Sequence, residues 1–79
     1  MPVTAKQEQT SAAALSAAVI ELREKQGHTG RSFAREADLS QGVVWRLDHG
    51  QMRWTLALLL RVSDALGIKP SALLRKCGL

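Results

Sequence analysis

Residues 28–50 read HTGRSFAREADLSQGVVWRLDHG, and their signals follow the order of a short capped helix, a tight turn and a second capped helix. Thr29 can cap the first helix by accepting from a first-turn N–H, after which Phe33, Ala34 and Ala37 face inward while Arg31 and Arg35 point outward together. Asp38 falls in the turn, where aspartate tolerates the left-handed backbone better than most residues that carry a side chain. Ser40 caps the second helix and Gly50 closes it. At ~100° per residue, Gln41, Gly42, Trp45, Arg46 and His49 share one face of that second helix, and Val43, Val44 and Leu47 share the other. One face is core and the other is free to enter a groove, which is the layout of a helix-turn-helix.

Upstream, SAAALSAAVIELREKQG (11–27) has high helix propensity, with Leu15, Val19 and Leu22 at helical spacing and Gly27 as its stop. The helix is expected to start at Thr10 or Ser11. Residues 1–9 contain Pro2 and no apolar periodicity, so they are expected to form a flexible arm ahead of a domain over 10–79. Downstream, Gln51 to Trp54 form a linker to Thr55, a third capping residue, and LALLLRVSDALG (56–67) carries an apolar stripe through Leu56, Leu59, Leu60, Val62 and Leu66. Pro70 fits the first turn of a last helix over Ser71 to Lys76, in which Leu73 and Leu74 can pack back while Arg75 and Lys76 favour the C-terminal dipole. Five helices and no strand are expected, an all-α chain.

Composition narrows the function classes. A chain of 79 residues is one small domain, and with three aromatics its core must come mainly from Leu, Val, Ile and Ala. The single Cys77 cannot form an internal disulfide; His28 and His49 lie on different elements without a third ligand, so neither a metal nor another cofactor is expected. Without staples, self-association is the expected aid to stability. One cysteine and the lack of a secretory signal fit the cytoplasm, and no stretch approaches the roughly 20 apolar residues of a membrane span. The net charge of +4 and pI near 10.0 suit a polyanionic partner. Ser32, Ser40 and Ser63 have no placed His and acid, and there is no glycine-rich phosphate loop, so an enzyme is not expected.

With its elements placed, the chain resembles the phage-repressor and Cro-like (XRE) helix-turn-helix family over roughly residues 15–76. The resemblance is carried without a gap by VIELREKQG at the end of helix 1, by Leu39-Ser40-Gln41 opening the recognition helix, by Asp48-His49-Gly50 closing it, and by TLALLLRVSDALGI. It implies the five-helix lambda-repressor-like fold and transcriptional control, commonly repression, by a two-fold dimer on double-stranded operator DNA. It further implies base contacts by Gln41, Gly42 and Arg46, with Val43 against a thymine methyl, and phosphate contacts by Thr29, His49 and Arg53, with Arg31 and Ser40 beside them. Arg23 and Asp48 occupy positions that meet in this family as a partly buried ion pair. Two departures stand out. Gly30 replaces a common Gln at the start of helix 2, removing a contact to phosphate and to Gln41, and Asp38 replaces a common Gly in the turn, bringing a negative charge near DNA.

Several residues admit blander readings. Gln41 could be a solvated first-turn residue, and Arg46 could grip phosphate or merely be solvated instead of reading guanine. Trp45 could be core, but Val44 and Leu47 already fill that role, so base or dimer contact is the expectation. A dimer seam is expected through the C-terminal end, using Leu58, Leu73, Leu74, Cys77 and Leu79. Two other functions use the same fold: a toxin-neutralising protein that also autoregulates its operon, and a module that binds proteins and no longer binds DNA. A toxin or another small protein would then be the partner.

Overall fold

A computed structural model describes residues 5–78, with side chains described from Thr10 to Gly78. The described residues form five helices and no strand: α1 (Ala5–Lys25), α2 (Gly30–Glu36), α3 (Gln41–Asp48), α4 (Leu56–Leu66) and α5 (Pro70–Lys76). The order and type of the elements are those read from the sequence. The start of α1 is not: the helix reaches back at least to Ala5, so of the expected arm over 1–9 the part from Ala5 onward is helical, and residues 1–4 lie outside the described residues. The physical reason is propensity. AKQEQT consists mostly of good helix formers, which can extend an existing helix without burying an apolar face.

Local chemistry ends each helix where it must. Gly27 and Gly67 take the left-handed conformation after α1 and α4, with φ of 76° and 68°. Thr29, Ser40 and Thr55 each accept from the N–H three residues on, at 3.1, 3.2 and 3.2 Å. At Thr29 the cap is reciprocal, because Ser32 Oγ accepts from the Thr29 N–H at 2.9 Å. Pro70 opens α5, where its missing N–H costs no hydrogen bond.

The core gathers Leu15, Ala18 and Val19 of α1 around Phe33, Leu47, Val62, Leu66 and Leu73, with α1 packed against α3, α4 and α5. Phe33, Leu47, Val62 and Leu73 are fully buried. On α4 the inward face differs from the expected stripe: Val62, Ser63 and Leu66 are buried, whereas Leu56 is 71% and Leu60 50% exposed. The run LALLL places leucine on every side of the helix, so its spacing alone does not choose a face. Ser63 enters the core because its hydroxyl donates to the Leu59 carbonyl at 2.7 Å, which satisfies the polar group locally.

One residue of the expected dimer seam is corrected. Leu73 is fully buried within its own chain and cannot serve a second one, because the short α5 must insert it between α1 and α4 to close the core. Leu58, Leu74 and Cys77 are partly buried and pack on that core, and Leu79 lies outside the described residues. Two polar ties lock α1 to the C-terminal half. Gln26 Nε2 donates to the Leu66 carbonyl at 2.8 Å, and Trp54 Nε1 donates to Ser16 Oγ at 3.1 Å.

Candidate nucleic-acid interface

The helix-turn-helix is built around one residue in an unusual conformation. Ala37 caps the C-terminus of α2, Asp38 turns the chain with φ of 54°, and the Leu39 N–H donates to the Ala34 carbonyl at 2.8 Å. Ser40 then starts α3 at once. The two helices approach closely where Gly30 opens α2: a Cβ added there would meet Val44 Cγ1 at 3.7 Å, an ordinary contact. The absence of a side chain at 30 is therefore not required by packing.

The orientation of α3 is fixed from its inner side. Val44 and Leu47 are buried, and Val43 is partly buried against the core. The far end is held by charge: Arg23 Nη1 of α1 lies 2.8 Å from Asp48 Oδ1, while the same guanidinium stands 5.9 Å from the centroid of the Phe33 ring. Arg23 is nearly buried, and its Nη1 has no aligned hydrogen-bond acceptor, so the contact with Asp48 is one of charge. A helix anchored by two side chains, an N-terminal cap and a terminal ion pair has little freedom to rotate about its axis.

What α3 turns outward is the row predicted from its periodicity. Gln41, Gly42, Trp45, Arg46 and His49 are all exposed. Trp45 is 51% exposed and stacks on His49, with ring centroids 4.0 Å apart and planes 17° from parallel. His49 Nδ1 lies 2.7 Å from the Trp45 carbonyl oxygen; because that oxygen can only accept, Nδ1 carries the proton. Val43 lies between the two sides of the helix, partly buried and packed against the core.

Around this row the surface is basic. Arg31 and Arg35 on α2, Arg46 on α3 and Arg53 in the following linker are exposed, and among the described residues none of them has a carboxylate within ion-pair distance. Glu36 and Asp38 are exposed in the same motif and offset part of that charge. Thr29 and Ser40 stand at the N-termini of α2 and α3 with their oxygens engaged in the caps. Sequence reasoning turned Arg35 outward with Arg31 but gave it no contact, and it did not single out Met52, which is buried beside Arg53 and anchors the linker. Its place between polar residues conceals it.

Among the described residues no group of His, Cys, Asp and Glu could hold a metal ion, and no helix is long and apolar enough to cross a membrane. No family model matches the chain, and no curated protein matches it. Two crystal structures do, both of the clp gene regulator ClgR from Corynebacterium glutamicum. Each is 30% identical in sequence and aligns with 85% of this chain. The TM-scores are 0.77 and 0.76, and the alignments span 71% and 87% of the respective ClgR chains.

Proposed function

The chain belongs to the family of the clp gene regulator ClgR, and from that premise we propose that it is a sequence-specific regulator of transcription that binds double-stranded DNA through α3. The observation that carries this reading is the contrast between the two sides of α3. Its inner side is pinned by Val44, Leu47 and the Arg23–Asp48 pair, while its outer side offers an amide, an indole, an imidazole and a guanidinium to solvent. Such a rigid helix with a polar outer face suits the major groove, where base edges present donors, acceptors and methyl groups.

In this reading Gln41, Gly42, Trp45 and Arg46 face the bases, with Val43 at the edge of the contact, and Thr29, Arg31, Ser40, His49 and Arg53 lie along the phosphates. The finer assignment is to the phage-repressor and Cro-like helix-turn-helix family. The protein acts in the cytoplasm as a homodimeric repressor, without cofactor or catalytic activity, on an inverted repeat whose half-sites lie ~34 Å apart. The exposed leucines at 56 and 60, one turn apart on α4, supply an apolar face for the second copy.

Selection of bound sequences from random duplex DNA tests the proposal. The expected product is an inverted repeat. Recovery of an unenriched pool by a protein that keeps its helical circular dichroism would overturn it and favour a module that binds only proteins.

A further inference from the structure

Trp45 is an expensive residue to leave half exposed, and it is not left loose. Its indole lies flat on the His49 imidazole, which is itself tied back by the Nδ1–H bond to the Trp45 carbonyl. An aromatic side chain with two rotatable bonds, already held by a partner, loses little freedom when a ligand arrives. The indole has one N–H donor and no acceptor, so its capacity to read bases by hydrogen bonding is small. What it offers is flat apolar surface. In the major groove the apolar group that distinguishes one natural base pair from another is the C5 methyl of thymine.

A second observation lies one turn back. Gly42 is in an ordinary helical conformation, without the positive φ that would require glycine. A Cβ added there would meet nothing outside its own helix closer than Ser40 Oγ at 3.8 Å. Glycine weakens a helix, and nothing within the fold demands it here. It leaves bare backbone between Gln41 and the Trp45–Arg46 pair, where a base edge can come closer to the helix than any side chain would allow. Val43, the other apolar residue of this turn, is engaged with the core.

We propose that Trp45, set in place by His49 and opened by the gap at Gly42, is the residue that reads a C5-methylated pyrimidine in each half-site. The inference rests on α3 being the DNA-reading helix. The selected duplex is titrated by fluorescence anisotropy beside duplexes in which each thymine in turn is replaced by uracil, which deletes the methyl and keeps the base pairing. Wild type loses about fourfold in affinity at one position per half-site, the worth of one buried methyl-sized group. Trp45→Ala, whose ring lies outside the buried core, keeps its helical circular dichroism and binds thymine and uracil duplexes alike.

If wild type binds its selected sequence with no thymine-to-uracil loss anywhere, the methyl contact is wrong while the reading of α3 stands. An equal loss by Trp45→Ala on specific and random duplexes, with the uracil effect intact, also overturns it and places the indole on the sugar–phosphate rim. Failure to select any sequence removes both.

Discussion

Arg23 in the last turn of α1 and Asp48 at the end of α3 are separated by 2.8 Å, so α3 is tethered to the longest helix of the molecule by a charge pair. Asp48 is about one-third exposed and Arg23 is close to buried. Asp48→Ala should therefore cost about 1–3 kcal/mol, because it leaves a buried guanidinium without its counter-charge. The double variant Arg23→Met with Asp48→Ala should lose less than the sum of the two single changes. Denaturant titrations of the three variants read this directly. Strict additivity would mean that the pair does not couple the helices.

Gly42→Ala should raise stability by about 0.5 kcal/mol and lower operator affinity at the same time. The first effect follows from helix propensity and from the free space around the position; the second follows from the methyl group now standing between base and backbone. Thermal melting and a binding titration on the same preparation would separate them. Unchanged affinity would show that nothing approaches the helix at this point.

Gln41→Ala and Arg46→Ala should each weaken specific binding by about 1–3 kcal/mol and relax base preference at one position. Arg53→Ala should weaken binding to all sequences similarly and reduce the slope of affinity against salt. Titrations at several salt concentrations, on specific and random duplexes, distinguish the two behaviours. If Arg53→Ala changed base preference instead, the linker would belong to the reading surface.

The doubly substituted Leu56→Lys, Leu60→Lys protein should remain folded, because both positions are exposed, and should sediment as a monomer at micromolar concentration where wild type should sediment as a dimer. Leu73→Glu, by contrast, should unfold the chain, since it buries a charge in the core. A lysine variant that stays dimeric would move the seam away from α4. A monomeric wild type, both free and on DNA, would remove the homodimer.

Much of this organisation is legible in the chain because it rests on short-range chemistry. Thr29, Ser40 and Thr55 announce helix starts, Gly27 and Gly67 announce ends, and Asp38 takes the left-handed turn its position suggests. The outward row of α3 follows from its period alone, because Val44 and Leu47 are its strongest apolar pair. Long-range choices are harder to see. Which leucines of LALLL face inward depends on where α1 and α5 come to lie, and Ser63 looks polar until its hydroxyl is tied to Leu59. The Trp54–Ser16 bond spans elements far apart in the chain, and no local signal foretells it. The first residues of α1 from Ala5 are hidden for the opposite reason, since AKQEQT has helix propensity but no apolar periodicity to announce a helix.

The three side-chain caps share a property with a consequence for how this surface is electrified. All are hydroxyls, and the first turns of α2, α3 and α4 contain no acidic residue. Aspartate would cap as well as serine or threonine and would add about 0.3–1 kcal/mol by opposing the positive end of the helix dipole. Thr29→Asp and Ser40→Asp would thus make a sturdier protein carrying two fixed anions on the side proposed to meet DNA. Neutral caps add no anion of their own at the N-termini of α2 and α3, so the backbone itself contributes positive potential there, offset in part by Asp38 just ahead of α3. The motif forgoes stability that its own architecture could accommodate and retains an electrostatic field in its place.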